Sequence, residues 1–167
     1  MRHVISILLE NEAGALSRVV GLFSQRGYNI DSLTVAPTDD STLSRCSILT
    51  TGDKWEAEQI TKQLHKLVNV IKVSSQQDNS IDIVEREILF VKVQAVGHTL
   101  REEIKTLCDI FKAQIVDITP ELYILQYVDT SFEVDRFLKA VSEQAEVVET
   151  VRSGVCGIFR GEHSLHS

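Results

Sequence analysis

Basic residues are in short supply: 17 lysines and arginines stand against 24 acidic residues, for a formal net charge of −7. That balance repels a phosphate backbone, which argues against general nucleic-acid binding. Cysteine is scarce too. Cys46, Cys108 and Cys156 are far apart and odd in number. Neither a disulfide framework nor a paired zinc-ligand motif has that pattern, so they read as reduced thiols of a cytosolic protein. No apolar run approaches the roughly 20 residues that span a bilayer. Ser6, Glu10 and Asn11 interrupt the stretch Val4–Leu9 before a signal-peptide core is completed, which argues against export and for a cytoplasmic address.

Catalytic signatures are also missing. There is no nucleophile elbow, P-loop or HExxH spacing. His65 lies beside an apolar helical stripe and reads as a surface or boundary side chain. His163 and His166 offer two nitrogens with no cysteine pair nearby, too few for a metal. Glu85, Arg86 and Glu87 read as a solvated charge cluster. The expectation is no catalytic residue, no metal ligand and no cofactor in this chain.

What is present is a globular composition, 43% hydrophobic and 25% charged over 167 residues. The length suits one ordinary domain or two small ones. Ile5, Ile7 and Leu9 alternate as in a half-buried strand over His3–Leu9. Leu16, Val19, Val20 and Phe23 follow helical spacing, and Gly27 is placed to end that helix. Tyr28–Val35 and Leu43–Thr50 read as strands of a hairpin, with Pro37, Asp39 and Asp40 at its turn. Asp53 and Glu56 form a capping-box pattern ahead of the stripe Ala57, Ile60, Leu64 and Leu67. Val68–Val73 reads as a fourth strand.

Ser74–Ser80 is polar and reads as a linker or long loop. The order then repeats. Glu87–Ala95 is strand-like, and Thr99 with Glu102 can cap a helix carrying Leu100, Ile104, Leu107 and Phe111. Gln114–Ile118 and Leu122–Val128 form a second hairpin with Pro120 at the turn. Thr130 and Glu133 can cap a helix with Val134, Phe137, Leu138 and Val141, and Val147–Val151 is the eighth strand. The expected fold is therefore α/β, an α+β sandwich of two ferredoxin-like βαββαβ domains in tandem. The expected division is 1–76 and 85–153, with a linker at 77–84 and a frayed tail at 154–167. Helices cover one face of each sheet, so the other face is left to water or to a partner, which favours association.

The segment from Asn11 to Ile30 carries the chemistry. A strand ends near Leu9 and a helix starts near Gly14, leaving first-turn N–H groups pointing into the loop. Their partial positive charge suits a carboxylate or phosphate. Gly14 permits close approach to the main chain, and Ala13 and Ala15 keep the surroundings small. Asn29, expected on the second strand, offers an amide oxygen and an amide nitrogen for an ammonium or a carboxylate. The same residues also admit a plain structural reading: Asn11 as a helix cap, Gly14 as a turn, Asn29 in a β-turn.

The string NEAGALSRVVGLFSQRGYNIDSLTVAPT closely resembles the N-terminal ACT domain of the small regulatory subunits of acetolactate synthase, also called acetohydroxyacid synthase. LSR at Leu43–Arg45, QLHKLV at Gln63–Val68, VERE at Val84–Glu87 and RSG at Arg152–Gly154 extend the likeness over essentially the whole length. The resemblance implies a non-catalytic subunit of branched-chain amino-acid biosynthesis that dimerises side by side through its ACT domains. It implies feedback inhibition by valine bound at that interface, with Asn11, Gly14, Ala15 and Leu16 from one chain and Asn29 and Ile30 from its partner. Thiamine diphosphate, magnesium and FAD are implied for a separate large subunit, which this chain would activate. Two positions depart from the family pattern: Ala13 stands where serine is common, and Asp31 where glutamate is common. The alternative on the same fold is a transcriptional or metal-sensing regulator, but a basic recognition helix is missing.

Overall fold

The computed structural model describes residues 2–77 and 82–165. By contacts it divides into two units, 1–85 with 155–167, and 86–154. The boundary falls inside one strand, between Glu85 and Arg86. Half of the expected linker, 78–81, lies outside the described residues, as do His166 and Ser167.

The first unit begins with strand β1 (Arg2–Glu10), helix α1 (Ala15–Gln25) and the hairpin β2 (Ser32–Pro37) and β3 (Leu43–Thr51). Helix α2 (Lys54–His65) and strand β4 (Val70–Gln77) follow. The antiparallel sheet has the order β2-β3-β1-β4. Ile5, Ile7 and Leu9 of β1 meet Val19 and Phe23 of α1 and Ile60 and Leu64 of α2 in one buried cluster. The capping box forms as the sequence suggests: Asp53 accepts from the Glu56 N–H at 2.8 Å, and Glu56 accepts from the Asp53 N–H at 2.9 Å. Gly27 lies just past α1 with φ +72°, a conformation glycine adopts without strain.

Three expectations change here. β2 starts at Ser32, so Asn29 precedes the strand instead of lying on it. β4 runs on through Ser74 and Ser75, which pair with Ser6 and Ile5 of β1. Their polar character marked them as linker, but a strand bordering the sheet tolerates hydroxyls. The expected tail contains a strand. Cys156–Phe159 forms strand β9, which pairs with β5 (Ile83–Gln94).

This closing segment also covers the sheet face opposite the helices. Thr34 donates to the Val155 carbonyl at 3.0 Å, and Arg45 donates to that of Gly157 at 3.0 Å. Arg2 pairs with Glu85 on the same face. Val4 and Leu8, which point to that side, are buried together with Val155 and Phe159. Gly157 suits a close approach, since a β-carbon there would stand 2.8 Å from Cδ1 of Ile83, which would have to shift. Part of the second face of this unit is thus covered from within.

In the second unit β5 continues, followed by helix α3 (His98–Phe111), strands β6 (Gln114–Ile118) and β7 (Leu122–Asp129), helix α4 (Ser131–Gln144) and strand β8 (Val147–Arg152). The sheet order is β6-β7-β5-β8. Leu89, Val91, Leu125, Ile104 and Phe137 form its core, with Phe111 packed edge-on against Phe137. Thr130 caps α4 by accepting from the Glu133 N–H. Thr99 does not cap α3: the helix already starts at His98, after Gly97. The helix-free face of this sheet leaves Ile88, Phe90, Val128 and Val151 exposed.

Burial makes two thiols inert. It pushes Cys46 up to about 12 and Cys108 up to about 11, the latter helped by Asp109. Cys156 is exposed. At pH 7.5 N-ethylmaleimide is expected to label Cys156 alone in the folded protein, and all three thiols after unfolding in guanidinium; mass spectrometry of digests reads the sites.

Candidate functional site

The loop after β1 is held from both sides. The Asn11 N–H donates to the Thr42 carbonyl at 2.7 Å, and its side-chain amide donates to the Ser41 carbonyl at 3.2 Å. Asn11 therefore ties the loop to the hairpin turn and does not cap α1. Gly14 takes the N-cap place in a left-handed conformation, φ +85°, with no side-chain cap bond. A non-glycine residue there pays about 1 kcal/mol or more. The Ala15 N–H reaches the Glu12 carbonyl at 3.2 Å. Among the described residues no acceptor is found for the N–H groups of Leu16 and Ser17. These two donors, at the positive end of α1, are the groups a ligand carboxylate would meet. The Ala15 side chain points into the core and Leu16 packs against it, so they supply main chain more than contact surface.

Asn29 and Ile30 lie elsewhere. The Asn29 carbonyl accepts from the Thr50 hydroxyl at 2.6 Å, and its side-chain amide donates to Asp31 at 2.6 Å. Thr51 donates to the other oxygen of Asp31, also at 2.6 Å. With its amide nitrogen engaged by Asp31, the acceptor that exposed Asn29 can still offer an ammonium group is its amide oxygen. Ile30 is half-buried on the core.

The two groups sit at opposite ends of one sheet. Asn11 neighbours Thr42, just before β3, whereas Asn29 neighbours Thr50 near its end. Eight residue steps separate those positions, on the order of 25 Å along the strand. Within one chain, then, Asn11–Leu16 and Asn29–Ile30 are not brought together. Open grooves also lie elsewhere. One of about 440 Å³ follows α3, lined by His98, Glu102 and Ile110. Another of about 600 Å³ runs between α2 and β4, lined by His3, Lys62 and His65. Neither includes Gly14.

Sequence reasoning missed two residues beside the loop. The Arg18 guanidinium curls back over Gly14, where a β-carbon would stand 3.7 Å from Nη2. The Asn69 side chain accepts a hydrogen bond from that guanidinium. Arg18 was findable, because a helical side chain covers the turn on its N-terminal side. Asn69 is 51 positions away and carried no local signal.

No cluster of three His, Cys, Asp or Glu side chains able to hold a metal occurs among the described residues. No helix among them is long and apolar enough to cross a membrane.

Residues 5–72 match the family profile described as "AHAS small subunit-like ACT domain", and residues 86–161 match "Small subunit of acetolactate synthase". The small subunit of acetolactate synthase isozyme 3 from Escherichia coli is 57% identical over 162 residues, covering 97% of this chain and 98% of that one. The acetolactate synthase small subunit of Haemophilus influenzae is 55% identical over 165 residues, 99% of each chain. Among solved structures, that of the acetolactate synthase small subunit of Thermotoga maritima superposes with a TM-score of 0.86 at 33% identity, covering 98% of this chain and 99% of that chain. Profiles over both units, relatives matched nearly end to end and the shared fold place this chain in the family of acetolactate synthase small subunits, the regulatory and non-catalytic component of that enzyme.

Proposed function

We propose that this chain activates a catalytic large subunit of acetolactate synthase and makes it sensitive to feedback inhibition by valine. The observation that supports this best is the division of the candidate site between opposite ends of the first sheet. Among the described residues strand β2 pairs with β3 alone and leaves its other edge open, and an open edge is a template for a second chain. Two copies joined antiparallel along β2 about a two-fold axis bring the α1 start of one beside Asn29 of the other. Each half then supplies what the other lacks. Leu16 and Ser17 N–H groups meet the carboxylate, the Asn29 amide oxygen meets the ammonium, and Leu16 and Ile30 offer apolar surface to a short branched side chain.

In this reading thiamine diphosphate, magnesium and FAD belong to the large subunit, and this chain supplies neither cofactor nor catalytic group. Valine favours one arrangement of the paired units, and a coupling of about 1–3 kcal/mol to the catalytic state is enough for useful control. Mixing the purified chain with its cognate large subunit is expected to raise acetolactate formation, and valine is expected to lower it again. Calorimetric titration of the isolated chain should show one valine per chain, two at each two-fold interface. A mixture with no rise in rate overturns the activating role, and a flat titration overturns the site.

A further inference from the structure

Asn69 occupies the turn ahead of β4 and is buried, 6% exposed. Its carbonyl accepts from the Glu10 N–H at 2.8 Å. Its side chain stands between charges of opposite sign. The amide oxygen accepts from Arg18, while the amide nitrogen donates to Glu10 at 3.3 Å and to Glu12 at 3.4 Å. Arg18 is thereby paired with a neutral group although two carboxylates lie close by. A guanidinium bonded to an amide oxygen keeps its full charge, whereas one bonded to a carboxylate is neutralised.

We infer that Asn69 is a positioning residue for the effector site: it holds the Arg18 guanidinium over Gly14 and keeps it from pairing with Glu10 and Glu12, so that the cation serves the ligand carboxylate beside the α1 start. The inference rests on the valine reading above and adds to it a charged contact and the residue that maintains it. Asn is required because only a side chain with both an acceptor and a donor satisfies the arginine and the two acids at once. Aspartate at 69 keeps the acceptor but neutralises Arg18 and repels Glu10 and Glu12.

A double-mutant cycle in the reconstituted holoenzyme tests it, with each variant's inhibition by L-valine normalised to its own valine-free rate. Arg18→Gln is expected to raise the half-inhibiting concentration about tenfold or more, as loss of a charge-assisted bond does. Arg18→Lys should stay within about threefold of the unchanged chain, because the positive charge remains. Asn69→Asp should match Arg18→Gln, and the double variant should lie within about threefold of Arg18→Gln alone, since one residue acts through the other. If Asn69 only braced the loop, the two effects would multiply, and that outcome overturns the inference. So does full valine sensitivity in Arg18→Gln, an exposed position whose folding is not at risk and which is checked by thermal melting. Gly14→Asp is the reference arm. If it abolishes inhibition while Asn69→Asp does not, this inference falls and the valine reading stands; if none of the variants changes inhibition, the valine reading falls first.

Discussion

Gly14→Asp is expected to raise the valine concentration for half-inhibition of the reconstituted enzyme at least about a hundredfold, equivalent to about 2.7 kcal/mol of binding. Three effects act in one direction. Gly14 sits at φ +85°, so any side chain pays for the left-handed conformation, although aspartate is among the residues that tolerate it. Its β-carbon would stand 3.7 Å from Nη2 of Arg18, close enough for the new carboxylate to pair with that guanidinium. The carboxylate also occupies the volume in front of the Leu16 and Ser17 N–H groups and repels a second anion there. Gly14→Ala separates these contributions. Its methyl makes only ordinary contact with Arg18 and brings no charge, so it should weaken inhibition by about tenfold or less through the backbone alone. Inhibition that survives Gly14→Asp unchanged would place the effector away from the α1 start.

What the sequence revealed and what it hid divide by range. The Asp53–Glu56 capping box was legible because both halves lie within one turn, and it forms as written. Gly27 was legible for the same reason. The core stripes of α1 and β1 follow from period alone, since Val19 and Phe23 must share a face and Ile5 and Ile7 must share another. The failures are all non-local. Ser74 and Ser75 look like linker until their partners on β1 are known. Val155, Gly157 and Phe159 do alternate as a strand would, but the glycine hides the period, and its reason is the Ile83 side chain more than 70 positions earlier. Covering the second face of the first sheet by that segment could not be read from any window. The site divides in the same way. The open N–H groups at the start of α1 follow from a strand–loop–helix pattern, whereas the separation of Asn11 from Asn29 by a strand's length, and the bond from Asn69 to Arg18, exist only in the folded chain.

The same contrast governs the second large effect. Glu85, Arg86 and Glu87 read together as a solvated charge cluster, yet Glu87 points inward from β5 and its side chain is only 4% exposed. Arg152, at the end of β8, grips it with two bonds, Nε to Oε1 at 2.8 Å and Nη2 to Oε2 at 2.9 Å, and spends its third nitrogen on Asp135 of α4 at 2.7 Å. The bonds to Glu87 raise the guanidinium further above its ordinary range, so it stays charged at any pH at which the protein folds. Arg152→Ala leaves the Glu87 carboxylate buried without its partner. It is expected to destabilise the second unit by about 3 kcal/mol, at the low end for a broken buried pair because Arg152 is itself about a third exposed. Asp135→Ala removes only the exposed limb of the network and should cost less than about 1 kcal/mol. The paired replacement Glu87→Leu with Arg152→Met should recover most of the loss, since it buries no lone charge. Trp55, the single tryptophan, lies in α2 of the first unit, so its fluorescence does not report on this change directly. Amide hydrogen exchange does: protection along β5, from Leu89 to Val93, and along β7 should fall in Arg152→Ala while that of β1 and β3 holds. Equal protection in the variant and the unchanged chain would mean that Glu87 reaches water when its partner is removed, and that the pair secures geometry more than stability.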